Sequence, residues 1–386
     1  MQERQALGGK VLTIPFKVCA AIVLIGLFFI GKRFIFGIGS VSNMNDGYPW
    51  GIWIAYDVVV GTALACAGYS IALIVYVFNK GEYSPLVRPA LMTSMFGYTL
   101  AGISVIFDIG RYWQAYNIFL PWLSNLHSVM FEVALCIGTY ILVLWMEFAP
   151  VLLDKFKADQ LKVRLNRIIF VFIALGILLP TMHQSSLGTM MLMAGHKLSP
   201  LWWSGFLPLL FLITAVVIGY AAVIFESLVA AIAFKRPMEM HLLSKISALM
   251  PWLLGLYLVV RIEDVNLRGY LPLAFDGGFL GNLFLLENLL FLAALLILAY
   301  PNNRQSPQLL FIASCAMLLG GSMYRFNTYI VGFDPGTGWQ YFPSVPEMFI
   351  TFGIIAAEVM AYLWFVKTLP VLPKLTKAYA YLKGKL

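Results

Sequence analysis

Charged side chains are scarce in this sequence of 386 residues: Asp, Glu, Lys and Arg together make up 11% of it, against about 25% in an ordinary soluble domain. Hydrophobic residues make up 61%. A soluble chain of this length has nowhere to bury so much apolar surface, because a single core stops growing at roughly 250–300 residues. A soluble enzyme, a disordered linker, a nucleic-acid binder and a secreted disulfide scaffold are excluded on that ground. The net charge of +8 is not a nucleic-acid footprint, since no water-exposed face of a soluble fold is there to carry it.

Cysteine and histidine are equally sparse, four of each. Cys19, Cys66, Cys136 and Cys315 lie apart in apolar runs and form no Cys-x-x-Cys pair. An iron–sulfur cluster needs about four closely placed thiolates, so none is expected in this chain, and neither is a disulfide. A b-type haem needs two histidines facing each other across helices. His196 and His241 fall in connections, which leaves His127 and His183 as the one conceivable pair. One haem would not cross the bilayer, so a haem-free chain is expected. No His/Cys/carboxylate cluster has metal-ligand spacing, and neither GxGxxG nor a P-loop occurs.

Ten long apolar segments are present, at 14–36, 52–79, 88–110, 126–149, 166–190, 206–233, 244–262, 280–299, 308–330 and 347–369. Each is near the roughly 20 residues needed to cross a bilayer. Uniformly apolar runs of this length are helices, not barrel strands. The expected fold is an all-α, multi-pass membrane protein with about ten transmembrane helices and no soluble domain. The first run is too long for the h-region of a cleavable signal peptide and reads as an anchor helix. Gly61, Ala65 and Gly68 form a small-residue strip for close helix packing.

Orientation follows from the cations. Nineteen of the 26 Lys and Arg fall at the two ends and in the even-numbered connections; Lys32, Arg33, Arg111, Lys197, Arg261, Arg268 and Arg325 fall on the other side. Positive charge stays in the cytoplasm, so both termini are expected there. The opposite loops are longer and rich in Gly, Pro, Trp and Tyr, and suit docking of a partner.

The few acids are placed unusually. An ionisable group at mid-bilayer costs roughly 2.5–3.5 kcal/mol on insertion scales, so each calls for a reason. Asp57 and Glu132 lie near the outer surface, Tyr98 near the middle of its span, Glu226 and Glu147 near the cytoplasmic ends, and Glu287 and Glu358 further in. Ser128, Glu132, Cys136 and Tyr140 recur every four residues and share one helix face. With Tyr98, Glu226 and Glu147 they read as a ladder of protonatable groups. At the outer ends, Asp108 and Arg111 are spaced to pair, His127 opens the fourth span, Trp50 and Asp57 open the second, and His183 follows Pro180, which must kink its helix. Aromatics, histidine and arginine beside lipid suit a quinone, whose ring needs apolar walls and whose carbonyls need proton-delivering donors.

The segments Tyr48-Pro-Trp-Gly-Ile-Trp-Ile-Ala-Tyr-Asp57, Phe107-Asp-Ile-Gly-Arg-Tyr-Trp113, Ser128-Val-Met-Phe-Glu132, Glu147-Phe-Ala-Pro150, Leu179-Pro-Thr-Met-His-Gln-Ser-Ser-Leu-Gly188 and Tyr341-Phe-Pro343 resemble the NrfD/PsrC superfamily of quinone-interacting membrane subunits, and within it the HybB-type subunits of respiratory nickel–iron hydrogenases. The resemblance implies two four-helix bundles (52–190, holding the quinone site, and 206–330) flanked by 14–36 and 347–369. It implies a bacterial inner-membrane location. The partners would be a periplasmic ferredoxin-like iron–sulfur protein and the large and small hydrogenase subunits. The chain would pass electrons reversibly to quinone, with menaquinone expected, and have no catalytic activity alone. The quinone pocket would hold Asp57, Asp108, Arg111, His127, His183 and Trp50. Glu132, Tyr98, Glu226 and Glu147 would carry protons. An anchor for a molybdenum oxidoreductase of sulfur compounds is the near alternative. A secondary transporter is the distant one, and the matched broken helices expected of it are missing.

Overall fold

Proline stands within the first two positions of six α-helical segments, where its missing N–H costs nothing. The computed structural model describes residues 4–373. It has ten helices long and apolar enough to cross a membrane: α1 (Ile14–Phe36), α2 (Trp53–Val77), α3 (Gly81–Asp108), α4 (Val129–Phe156), α5 (Asp159–Met193), α6 (Leu207–Ala233), α7 (Met240–Leu267), α8 (Phe279–Ala299), α9 (Pro307–Val331) and α10 (Val345–Thr368). The chain is a mostly helical, multi-pass membrane protein.

All ten expected spans are present, with shifted ends. The fourth and fifth extend as helices well past the apolar runs and meet at Lys157 and Ala158, so the basic connection is largely helix. The seventh begins earlier and breaks at Ala248–Leu249, ahead of Pro251. The fifth runs unbroken through Pro180.

α2 is the least regular span. Its two ends, Trp53–Val58 and Leu73–Val77, are wound in wide π-helical turns, and the helix is interrupted at Ala65–Cys66. Such turns concentrate at functional sites, and Asp57 sits in the first of them.

Burial sorts the helices. In α1 only 6% of the most apolar window is buried inside the protein, against 67% in α2 and 72% in α6. α2 and α6 are therefore central and α1 is lipid-facing. α2 and α6 press against each other at Gly219, where a β-carbon would lie 2.1 Å from Ser70 Oγ and 2.5 Å from Cys66 O. α2–α5 pack in sequence and α5 returns to α2; α6–α9 do the same, with α9 returning to α6. α10 lies on α3 and α1 lies on α10, with Gly26 against Gly353. Two short strands, β1 (Arg4–Gln5) and β2 (Leu372–Pro373), pair antiparallel and bring the first and last described residues together on one side.

The cation count changes when the fold is seen. Arg33, Arg261 and Arg325 are at most 2% exposed and are not loop charges at all. That leaves Lys32, Arg111, Lys197 and Arg268 on the face opposite the termini. The basic residues of 374–386 lie outside the described residues.

Candidate functional site

The centre of the first four-helix set is a sealed polar cluster. Tyr98 on α3 and His183 on α5 are both fully buried. The Tyr98 hydroxyl lies 2.9 Å from His183 Nε2, and His183 Nδ1 lies 2.8 Å from Leu179 O one turn earlier. A carbonyl only accepts, so Nδ1 carries the proton and Nε2 accepts from Tyr98. Gln184 Nε2 reaches Thr62 Oγ1 at 3.1 Å and the Tyr98 hydroxyl at 3.3 Å. Cys66 Sγ is 3.4 Å from the same hydroxyl. Tyr140 on α4 packs edge-on against Tyr98, with ring centres 4.6 Å apart. Gln184 Oε1 is buried without a partner among the described residues.

The four-residue repeat on α4 faces this cluster. Ser186 Oγ on α5 donates to Glu132 Oε1 at 2.8 Å, Cys136 and Tyr140 are buried, and Glu147 lies two turns past Tyr140 on the same face. Glu147 Oε1 is buried with no hydrogen-bond partner among the described residues. It fits because Gly176 on α5 has no side chain: a β-carbon there would lie 2.2 Å from that oxygen.

Glu226 sits elsewhere. It accepts from Thr93 Oγ1 and from the Tyr362 hydroxyl, each at 2.7 Å, and lines a cavity of about 440 Å³ between α2, α3, α6, α9 and α10. Thr93 and Tyr98 are five positions apart, about 140° around a helix, so they point to different sides of α3. The expected ladder is thus two columns: Glu132, Tyr140 and Glu147 beside Tyr98 and His183, and a separate one through Glu226.

The outer residues divide similarly. Asp57 lines the same cavity and accepts from Thr351 Oγ1 at 3.2 Å. Asp108 Oδ1 accepts from the Gly51 amide at 3.1 Å. Trp50 is buried, donates to Tyr329 O at 2.9 Å and packs on Phe333. Arg111 and His127 are exposed in the α3–α4 connection. The expected Asp108–Arg111 pair is absent from the ion pairs among the described residues, because α3 ends at Asp108 and Arg111 no longer follows its helical register. His183 is ten residues inside the outer end of α5, too deep to share a pocket wall with His127.

Two elements went unread in the sequence. Tyr341 accepts from the Ile52 amide at 2.8 Å and donates to Glu347 Oε1 at 2.7 Å, tying the start of α2 to the capping box of α10. Burial, with the Glu347 carboxyl beside it, pushes the Tyr341 phenol well above its usual range. The second is a buried pair in the other half: Arg261 and Glu287, 3.5 Å apart and fully enclosed. Trp202 and Asn327 donate to the same carboxyl at 3.0 and 2.8 Å.

A family model described as polysulphide reductase, NrfD, matches residues 40–333. The chain belongs to the NrfD family. Among its relatives, the probable Ni/Fe-hydrogenase 2 b-type cytochrome subunit of Escherichia coli (strain K12) is 44% identical over 97% of this chain and 96% of that protein. The integral membrane subunit of menaquinone reductase from Nitratidesulfovibrio vulgaris is 25% identical over 88% of this chain and 86% of that protein. A selenate reductase subunit of Mesobacillus selenatarsenatis is 21% identical over 67% of this chain and 66% of that protein.

The first of these names corrects one expectation. It describes the relative as a b-type cytochrome, and the reading of this chain as haem-free no longer stands beside it. The histidines as folded do not form an axial pair: His127 is exposed, and both ring nitrogens of His183 are held by protein groups.

Proposed function

We propose that this chain is the quinone-reactive membrane subunit of a respiratory nickel–iron hydrogenase. The reading draws on the hydrogenase-2 and menaquinone reductase relatives. The observation that carries it is the buried hydrogen-bonded cluster of Tyr98, His183 and Gln184 with Glu132 one helix away. Dry protonatable groups aligned across a membrane are expensive, and proton delivery to a substrate repays that cost.

In this reading the partners are a periplasmic ferredoxin-like iron–sulfur protein and the two hydrogenase subunits, which dock on the loops opposite the termini. Both termini face the cytoplasm of a bacterial inner membrane. The helices group as two four-helix bundles, 52–190 and 206–330, with α1 and α10 outside. The quinone, menaquinone by analogy with the Nitratidesulfovibrio relative, enters at the outer end of the first bundle. Arg111 and His127 stand at the mouth, and Trp50, Asp57 and Asp108 line the approach. His183 and Tyr98 lie below as proton donors. Reduction takes two electrons from the iron–sulfur partner and two protons, one to each carbonyl oxygen. Glu132 hands protons on, and Tyr140 and Glu147 continue the column toward the cytoplasm. With protons drawn from that side, hydrogen oxidation is coupled to charge movement and the reaction can run in reverse.

The test is the Glu132→Gln variant of the intact complex. Hydrogen-to-quinone turnover falls by about 100-fold or more, in the range of a lost general acid–base group. Dye-linked hydrogen oxidation, which bypasses this chain, is unchanged. Full quinone turnover in that variant removes Glu132 from the path. Co-purification separates the neighbouring reading, supported by the family's polysulphide reductase description: nickel subunits favour the hydrogenase, a molybdenum subunit the alternative.

A further inference from the structure

α10 lies beyond the family match, which ends at residue 333. Nothing in the family model therefore accounts for its polar residues. Thr351, Glu358 and Tyr362 are seven and four positions apart and share one helix face. That face covers the cavity of about 440 Å³. Each of the three residues addresses an acid. Thr351 donates to Asp57, Tyr362 donates to Glu226, and Glu358 is itself an acid on the cavity wall with no hydrogen-bond partner among the described residues.

The spacing along the membrane normal can be read from two helices independently. Glu226 sits at Thr93, while a β-carbon on Gly97 would lie 3.3 Å from Glu358 Oε1; 93 and 97 are one turn apart on α3. Tyr362, which binds Glu226, and Glu358 are one turn apart on α10. Both helices thus put the two carboxyls roughly 5–6 Å apart in depth. Glu226 lies seven residues from the end of α6 nearest the chain termini, about 10 Å at the helical rise. Asp57 lies near the opposite end of α2. The three acids line the same cavity. Its wall is otherwise apolar, with Leu64, Phe96 and Leu318 among the lining residues. Among the described residues, the three acids with Tyr56 and Tyr362 are the ionisable side chains that face it.

We propose that Glu226, Glu358 and Asp57 form a second proton-conducting column, distinct from the one beside Tyr98, and that α10 supplies its middle station, Glu358. A proton enters at Glu226 from the side of the termini, passes to the neighbouring Glu358 carboxylate, and crosses to Asp57 at the outer end through water admitted to the cavity during turnover. Each step moves one proton from a carboxylic acid to a carboxylate through water or directly, with no bond to carbon made or broken. The partner's electrons make quinone the final acceptor. The inference rests on the quinone-reductase reading and adds a residue to it.

The test uses the purified complex in liposomes with the hydrogenase facing outward and a pH dye trapped inside. Hydrogen-driven reduction of a soluble quinone analogue consumes internal protons in the unaltered complex. In Glu358→Gln the internal protons consumed per quinone fall by about half, because the column through Glu132 still delivers from the same side; dye-linked hydrogen oxidation stays unchanged, and Glu358→Asp recovers part of the loss. An unaltered proton count per quinone in Glu358→Gln overturns the column. If Glu358→Gln fails to assemble with its partners, Tyr362→Phe decides: a shifted pH profile of quinone reduction supports the column, and an unshifted one overturns it. Absence of quinone reduction in the unaltered complex would instead sink the quinone-reductase reading, and quinone reduction without internal proton uptake would sink the coupling.

Discussion

Arg261 is fully enclosed, with its guanidinium 5.0 Å above the Phe284 ring, 5.3 Å from that of Tyr324, and 3.5 Å from Glu287. From the sequence it counts as an outer-side charge near a helix end; it became a core residue only because α7, α8 and α9 close around it. Removing one member of a buried pair strands the other, at a cost of about 3–5 kcal/mol. Arg261→Met is therefore expected to lower the thermal stability of the detergent-solubilised complex sharply. The double variant Arg261→Met, Glu287→Gln, which removes the stranded charge and keeps a side-chain oxygen for Trp202 and Asn327, should recover much of it, and a melting series of the three proteins checks this. Tyr98 is the contrasting residue, a hydroxyl hub visible in the sequence as a tyrosine at mid-span. What the sequence does not contain is its partner: His183 reads as an outer-end histidine but lies at Tyr98, because α5 continues as one helix through Pro180.

At the scale of elements, periodicity and apolar length found all ten helices, since each must satisfy its own backbone in lipid and the apolar run itself sets the length. Ends were less legible. α4 and α5 run on past the apolar stretch to Phe156 and back from Asp159, because helix formation does not stop where the hydrocarbon does. The α2–α10 junction shows how a motif can be seen without its purpose. Tyr341-Phe-Pro343 carries the family resemblance, yet its work is to satisfy the Ile52 amide and the Glu347 carboxyl at once. Tyr341→Phe leaves both groups short of a partner and should cost about 1–3 kcal/mol. Limited proteolysis at the outer connections, faster in the variant than in the parent, is the measurement. Because the Tyr341 phenol is held above its usual range, no change of this junction is expected between neutral and moderately alkaline pH.

For the whole molecule, the small-residue contact at Gly219 brings the two halves together between α2 and α6. Glu226 and Glu358 share one cavity because α6, α10 and α3 meet there. The antiparallel pairing of Arg4–Gln5 with Leu372–Pro373 places the first and last described residues on one side. The proposed orientation, which rests on the cation bias, puts that side in the cytoplasm. A reporter fused to the C-terminus should then be active in its cytoplasmic form and silent in its periplasmic form.

The sequence by itself determined that this is a helical membrane protein, how many times it spans, and which side chains carry protonatable chemistry. Those properties depend on local composition and on the cost of burying charge in lipid, and both are written residue by residue. The tertiary structure decided which of those side chains meet. Tyr98 and Glu226 parted because they lie on different faces of α3, and Arg111 left Asp108 because a helix ended. Glu358 joined Glu226 and Asp57 because a helix outside the family domain laid one face along their cavity. Such meetings follow from helix rotation and packing, and no local feature of the chain fixes either.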